Sequence, residues 1–196
     1  MIVERILALP ADPGVRVGVD GADAARPGEL ADRLVEPLRG LGRPVLRVPA
    51  RGFLRAASLR LERGRTDPEG YYELWLDDAA LAREVLDPAG PGGSGRVLPS
   101  LRDPATDRAT RAPYVEVAPG AVVVVDGPLL LGRWLPFDLT VHLALGTGAL
   151  TRRTPEGERW TLPAFERYTE EVAPERVADL VVRADDPRHP AVVEAD

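Results

Sequence analysis

The stretch Val15-Arg16-Val17-Gly18-Val19-Asp20-Gly21, continued by Ala22-Asp23-Ala24-Ala25-Arg26-Pro27-Gly28, decides the fold. Its first five residues predict a short apolar strand, and Gly21 predicts a tight turn after it. Pro27 is typical of the first turn of a helix, and the leucines of residues 29–41 recur on one helical face. A strand, a glycine turn and a helix in this order form the arrangement in which phosphate-binding loops occur.

The end of this loop lacks the residues that bind phosphate and magnesium in ordinary loops of this kind. Those loops end in Gly-Lys-Ser or Gly-Lys-Thr, because the lysine neutralises phosphate charge and the hydroxyl holds Mg²⁺. Arg26, Pro27 and Gly28 occupy these positions here, and the chain contains no lysine. Pro27 removes both the charge and a backbone N–H, and Gly28 removes the hydroxyl. The sequence therefore predicts that this loop does not support ordinary phosphoryl transfer.

The composition narrows the class of protein. The chain has 196 residues, a formal net charge of −6 and 25 basic residues, and it lacks lysine, asparagine, glutamine and cysteine. We interpret this bias as that of a GC-rich genome, so the arginines as a class need no special role. The negative charge argues against a nucleic-acid partner, and the absence of cysteine excludes disulfides and thiolate metal sites.

Other function classes find little support. The apolar content of 44% and charged content of 29% are typical of a soluble globular protein. No apolar run approaches the roughly 20 residues that cross a bilayer, and the N-terminal apolar stretch is too short for a signal peptide. We therefore expect a cytoplasmic location and no membrane partner. The serines lack a Gly-x-Ser-x-Gly setting, and two distant histidines, His142 and His189, do not indicate zinc.

Further apolar runs alternate with helical patterns. Strands are predicted at residues 15–19, 44–48, 121–126, 139–145 and 178–182, and helices at 29–41, 77–86 and 162–172. Because these strands are continuously apolar, we expect a parallel sheet of about five strands with helices on both faces, in one α/β domain over residues 1–196. Residues 87–119, rich in proline, glycine and arginine, predict either a functional loop or a small insertion with its own hairpin.

Six segments in order carry a resemblance to a known family. They are Val19-Asp20-Gly21, residues 30–34, residues 63–72, residues 86–94, residues 122–131 with Asp126-Gly127, and residues 178–182 with Asp186-Pro187. In this order they resemble the uridine kinase family of P-loop nucleoside kinases, over nearly the whole chain. The resemblance implies a three-layer P-loop kinase-like fold, a nucleoside or nucleotide ligand, and Mg-ATP as cofactor if the protein is active.

The resemblance also implies roles for individual residues. Asp126, at the end of a four-valine strand, is the best candidate for a catalytic residue and a Mg²⁺ ligand. The candidates for nucleotide binding are Gly21, Arg26, Gly28, Arg152 and Arg153. The candidates for substrate binding are Asp67, Tyr71, Tyr72 and Arg167. The family's lid over the phosphates corresponds to residues 151–175, which are shorter here.

The departures from the family pattern affect the residues that would take part in phosphoryl transfer. Besides the altered loop, residues 50–53 read Ala-Arg-Gly-Phe, so the phenylalanine matches but the acidic general base before it does not. Phosphoryl transfer depends on positioning and charge neutralisation, which these losses remove. Our leading hypothesis is a uridine kinase-like protein deficient in nucleoside phosphorylation that keeps nucleoside or anion binding. The alternatives are a divergent active kinase, in which Arg26 or a lid arginine neutralises phosphate, and a non-catalytic interaction protein that could form a homo-oligomer.

Each candidate also has a purely structural interpretation. Gly21 can serve only the turn, Asp20 and Asp126 can cap or stabilise turns, and the tyrosines can be buried aromatic residues. The arginines at 152, 153, 159 and 167 can form a solvated surface rather than an anion site. His142, inside an apolar strand, is expected to be packed and neutral, and His189 to face solvent.

Overall fold

The computed structural model describes residues 1–186 and 191–194. The strands within these ranges are β1 (Gly14–Asp20), β2 (Val45–Pro49), β3 (Arg96–Val97), β4 (Arg102–Asp103), β5 (Arg108–Ala109), β6 (Val115–Glu116), β7 (Ala121–Gly127), β8 (Leu139–Ala144), β9 (Leu180–Arg183) and β10 (Ala191–Glu194). The predictions for Pro187 and His189, and the last two residues of the predicted domain, lie outside the described residues.

The main sheet has the strand order β10-β9-β8-β1-β7-β2. Strand β1 lies at its centre, with Val17 paired to Val124 of β7 and to Leu139 of β8, both parallel. The predicted parallel sheet of five strands is thus confirmed over β2-β7-β1-β8-β9. The antiparallel strand β10, which pairs with β9, extends it at one edge and was not predicted.

Helices cover both faces of this sheet. The α-helices are α1 (Ile2–Ala8), α2 (Pro27–Gly40), α3 (Ala57–Arg60), α4 (Pro68–Leu74), α5 (Asp78–Leu81), α6 (Asp87–Ala89), α7 (Thr147–Arg153), α8 (Leu162–Glu171) and α9 (Pro174–Val177). Short 3₁₀ segments occupy Asp23–Ala25, Ala50–Phe53 and Glu156–Thr161, and one π-helical turn occupies Ala82–Leu86. No helix in the described ranges has the length and apolar character needed to span a bilayer.

The valines of β7 explain the layering. Val122 and Val124 pack into the core formed with α1 and α2, whereas Val123 and Val125 pack into the core formed with α5, α6 and the π-helical turn. All four are buried. A strand that is buried on both faces needs apolar side chains at every position, which is why this run does not alternate.

The three predicted helices are present, with shifted bounds. Helix α2 begins at Pro27, as expected from its fixed φ angle. The predicted helix at residues 77–86 divides into α5 and the π-helical turn, and Asp77 caps α5 by accepting a hydrogen bond from Ala80 N. The insertion at residues 87–119 carries its own antiparallel pairs, β3 with β6 and β4 with β5, so the hairpin alternative is confirmed.

Candidate functional site

A fully buried carboxylate, Asp20, lies at the carboxyl end of the central strand. Its Oδ1 accepts a hydrogen bond from Leu130 N at 2.8 Å, and its Oδ2 accepts one from the Tyr168 hydroxyl at 3.0 Å. Nδ1 of His142 donates to the same Oδ2 at 2.6 Å. The Tyr168 hydroxyl in turn accepts from Leu131 N. Asp20 therefore joins β1, β8, α8 and the loop after β7, and it is more than the local cap considered from the sequence.

The loop after β1 is closed by its own hydrogen bonds. Ala25 N donates to Ala22 O and Arg26 N donates to Asp23 O, which forms the 3₁₀ turn before α2. Arg26 adopts the left-handed conformation with φ of 60° and ψ of 55°, and Pro27 begins the helix without a donor. Two of the amides that an anion-binding nest would use thus face their own loop.

Gly21 is required at its position by packing rather than by a positive φ. A Cβ atom there would lie 3.0 Å from Leu143 Cβ and 3.2 Å from Leu143 O, on the neighbouring strand β8. Gly21 N also donates to Gly127 O. These contacts favour the structural interpretation of Gly21.

Asp126 is held by an arginine that the sequence did not single out. Nη2 of Arg47, on β2, donates to Asp126 Oδ1 at 2.7 Å. Nη1 of Arg47 donates to Asp32 Oδ1 at 2.7 Å and to Gly28 O at 3.3 Å, both on α2. Burial raises the pKa of Asp126 above its ordinary value, although the charge and hydrogen bond of Arg47 act in the opposite direction.

These residues do not fit a magnesium-nucleotide site of the usual kind. The Asp126 carboxylate already has a cationic partner, and Gly28, whose Cβ position lies 3.1 Å from Asp126 Oδ2, offers no hydroxyl. Within the part of the chain that the structure describes, no three acidic or histidine side chains cluster closely enough to hold a metal ion. The carboxylate of Asp126 is therefore engaged by a protein cation in this structure.

Most of the arginines expected to contact phosphate are engaged by protein groups. Arg26 pairs with Glu29 on the surface. Arg153 donates to the carbonyl oxygens of Ala184 and Asp185. Arg152, at the end of α7, is exposed and has no ion pair among the described residues.

Arg167, the predicted substrate-binding arginine of α8, is surrounded by carboxylates. It pairs with Glu69, with Glu73 at 3.0 Å and with Glu171 at 2.8 Å, and its guanidinium lies 4.4 Å from the Tyr72 ring centroid. The hydrogen bond with Arg167 is the main reason why the pKa of Glu73 is lowered. With three acidic partners, Arg167 is poorly placed to attract a phosphate.

The remaining candidates for substrate binding, Asp67, Tyr71 and Tyr72, lie at different places in the structure. Asp67 caps α4, where its carboxylate accepts a hydrogen bond from Gly70 N at 2.6 Å. Tyr72 lines a cavity of about 350 Å³ together with Arg133 and the exposed Trp134. Tyr71 lines a different cavity, of about 200 Å³, beside the loop after β1. The two neighbouring tyrosines therefore do not share one ligand site.

The cavity beside the loop has aromatic walls and acidic side chains, and we call it the aromatic cleft. It is lined by Ala22, Asp23, Ala24, Tyr71, Trp75, Thr154, Pro155, Glu158, Trp160, Thr161 and Phe165. The pKa of Asp23 is raised, mainly because the surrounding protein partly desolvates its carboxylate and next because of the charge of Glu158. The pKa of the Tyr71 hydroxyl is raised by burial and by the same two carboxylates. The cleft thus has a negative potential, opposite to that of a phosphate site.

Comparisons with known proteins place the chain in a structural class. It has a P-loop kinase-like α/β fold. Its structure is similar to that of a possible uridine kinase from Bacillus stearothermophilus, with a TM-score of 0.73 and 22% identity over 92% of this chain and 94% of that chain. It is also similar to a candidate fructose transport system kinase from Silicibacter sp. TM1040, with a TM-score of 0.60 and 26% identity over 86% of each chain.

These matches confirm, at the level of the fold, the resemblance to uridine kinase-like P-loop kinases that the sequence motifs predict. No protein-family model matches the sequence, and no curated protein matches it significantly.

Sequence reasoning missed Arg47, Asp23 and Trp160. A signal for Arg47 was present, since a lone charge inside the apolar run of β2 indicates a buried ion pair. The same signal marked Asp20 and His142. Asp23 and Trp160 carry no such signal, because only the tertiary packing of the loop against residues 154–165 brings them together.

Proposed function

We propose that this chain is a uridine kinase-like P-loop protein that does not carry out standard ATP-dependent nucleoside phosphorylation. It keeps a small-ligand cleft at the carboxyl ends of the parallel strands. The observation that carries this proposal is the bond of 2.7 Å between Arg47 and Asp126. A guanidinium stands where the kinase reaction needs Mg²⁺ and phosphate charge to be held.

Two further features support the proposal. The helix after the loop begins with Pro27 and Gly28, which provide neither a lysine charge nor a hydroxyl. Arg51, in the 3₁₀ turn after β2, stands in the region where the family has its acidic base. Its positive charge partly opposes the rise in the pKa of both Asp23 and Asp126. A positively charged side chain there does not accept the proton of a nucleoside hydroxyl.

The test is calorimetric titration of Mg-ATP into the folded protein, with Asp126→Ala beside it. We expect no saturable heat from either, and no nucleoside-dependent loss of ATP. Saturable binding that Asp126→Ala abolishes would overturn the proposal in favour of a divergent kinase.

A reconstructed loop provides the positive control for that titration. The variant R26G/P27K/G28S, combined with R47S, restores the glycine, lysine and hydroxyl of the ordinary loop and frees Asp126. We expect it to bind Mg-ATP measurably if the scaffold is intact. The control R26G/R47S, which lacks the lysine and hydroxyl, is expected not to bind.

The alternative to a ligand-binding protein is an interaction protein that binds a partner or forms an oligomer and has no small ligand. Light scattering after size-exclusion chromatography separates them. A stable oligomer with no ligand in any titration would favour the interaction protein.

A further inference from the structure

The aromatic cleft has a composition that points to a ligand of a particular charge. It lies between the loop after β1, helix α4, and the segment of residues 154–165. Its volume of about 200 Å³ is below the roughly 300–1,000 Å³ of sites that take drug-sized ligands. The cleft therefore suits a small molecule or a small headgroup, not a whole nucleotide.

Four aromatic rings form one continuous wall. The Tyr71 ring centroid lies 5.0 Å from that of Trp75, 5.6 Å from that of Trp160 and 6.1 Å from that of Phe165. Trp75 and Trp160 are also in contact with each other, and their ring centroids are 5.7 Å apart. Aromatic rings carry negative charge on their faces, so such a wall attracts cations that are weakly hydrated.

The charged groups of the cleft reinforce this attraction. Asp23 and Glu158 line it, and none of its lining residues is basic. The charge of Arg51 acts on the pKa of Asp23 in the opposite direction, and its effect is smaller than that of Glu158. Arg60 lies 5.7 Å from the Trp75 centroid but does not line the cleft, and it is bound to Asp107. The lining itself thus has two acidic side chains and no basic one.

The side chain of Trp75 provides a second observation. Its indole Nε1–H is buried and has no hydrogen-bond partner among the described residues. An unpaired buried donor is unfavourable, so Trp75 is held in the aromatic wall by its ring contacts with Tyr71 and Trp160 rather than by a hydrogen bond of its indole.

We propose that the aromatic cleft binds a small alkylated ammonium ion, with its positive charge against the aromatic wall and the carboxylates of Asp23 and Glu158. This deepens the proposed function by naming the ligand class of the retained cleft, and it rests on that proposal only for the place of the site. An anionic ligand such as ATP would meet the same carboxylates and be repelled. A strongly hydrated metal cation would gain little from aromatic walls.

The probe is choline, which combines a quaternary ammonium group with a hydroxyl. Binding is followed by tryptophan fluorescence in Trp134→Phe, because Trp134 is 98% exposed and the other two tryptophans, Trp75 and Trp160, belong to the cleft wall. We expect saturable quenching by choline. The uncharged analogue 3,3-dimethylbutan-1-ol, in which carbon replaces the nitrogen of choline, is expected to bind at least about fivefold more weakly. Sodium ion, added as sodium chloride, is expected to bind more weakly than choline by at least about the same factor.

Charge variants of the cleft test the carboxylates. Asp23→Asn and Glu158→Gln keep side-chain size and lie on solvent-accessible positions, so both variants are expected to fold. Each is expected to weaken choline binding at least about fivefold. The matched control Glu62→Gln removes an exposed carboxylate outside the cleft and is expected to leave binding unchanged. Equal binding of choline by Asp23→Asn, Glu158→Gln and the parent protein would overturn the proposal.

One further ligand distinguishes a free ammonium compound from the headgroup of a lipid. Phosphocholine carries the same cation with a phosphate, as a lipid headgroup does, and the acidic cleft is expected to bind it more weakly than choline. Tighter binding of phosphocholine would overturn the assignment to a free ammonium ligand. Because Mg-ATP is titrated separately, a failure of choline to bind and a failure of the pseudoenzyme proposal give different results.

Discussion

Arg47 and Asp126 form an ion pair of 2.7 Å whose side chains are only 18% and 12% exposed. The pair connects β2 to β7, and the second nitrogen of Arg47 extends it to Asp32 on α2. Because this guanidinium also reaches the carbonyl of Gly28, it fixes the start of the helix behind the loop. Its removal would therefore affect the strands and the helix together.

Arg47→Met is expected to lower the free energy of unfolding by about 2–3 kcal/mol, because Asp126 would keep a partly buried charge without a partner. Urea unfolding measures this change. The double variant R47M/D126N, which removes both charges, is expected to recover most of the loss. An unfolding midpoint for Arg47→Met equal to that of the wild type would contradict the assigned role.

The pH dependence of this ion pair has a definite sign. Arg47 lowers the pKa of Asp126 relative to an unpaired carboxylate in the same place. The stability that the pair contributes is thus present where Asp126 is ionised and is lost as pH falls through the pKa of Asp126. The gap in unfolding free energy between wild type and Arg47→Met is expected to narrow in acid.

Asp20→Ala is expected to destabilise the fold by about 3–5 kcal/mol, because it leaves the Tyr168 hydroxyl, His142 Nδ1 and Leu130 N without their acceptor. Tyr168→Phe removes one of these bonds and is expected to lower stability by about 1–2 kcal/mol. Tyr72→Phe is the matched control, since the Tyr72 hydroxyl donates to Glu171 near the surface and not to Asp20. A loss in Tyr72→Phe as large as in Tyr168→Phe would argue against a special role for Asp20.

Asp23→Asn is expected to raise the melting temperature at neutral pH. The pKa of Asp23 is raised by burial and by Glu158, so the folded state favours the protonated carboxyl. The folded protein therefore loses stability as pH rises through this raised pKa, and an uncharged asparagine avoids that loss. Melting curves of the two proteins are expected to converge below the ordinary carboxyl pKa of about 4. A lower melting temperature for Asp23→Asn at neutral pH would contradict this reading of the cleft.

Arg26→Gly is expected to be more stable than Arg26→Ala by about 1 kcal/mol, because only glycine adopts φ of 60° without steric strain. Both variants lose the exposed pair with Glu29, so their difference isolates the backbone effect. Chemical unfolding of the two variants provides the measurement. Equal midpoints would mean that the left-handed conformation at this residue imposes no strain.

The sequence determines the fold more clearly than it determines the site. The run of valines in β7 predicts a strand that is buried on both faces. Pro27 predicts the start of α2, because its φ angle is fixed at a helical value. Helix α7 was missed, because its residues, Thr-Gly-Ala-Leu-Thr-Arg-Arg, have no apolar periodicity. Strand β10, which pairs with β9 at the edge of the sheet, was also missed.

The site is less predictable because it depends on which partners meet in space. The sequence places Asp126 at the end of its strand, but nothing local shows that Arg47 reaches it from a strand 79 positions away. In the same way, Asp23 and Trp160 become neighbours only through the packing of the loop after β1 against residues 154–165. The missing lysine was visible in the sequence, whereas the reversal of charge in the cleft was not.

The bond between Asp20 and Tyr168 has a consequence for how a ligand would enter. Asp20 directly precedes the loop that carries Asp23, and Tyr168 lies on α8 with Phe165, so one buried carboxylate connects two elements that line the aromatic cleft. A movement of α8 away from the start of this loop would therefore break that bond. In stopped-flow mixing with choline we expect the observed rate constant of binding to rise linearly with ligand concentration, as it does for a preformed site. A site that must open first would instead give a rate constant that levels off at the rate of opening.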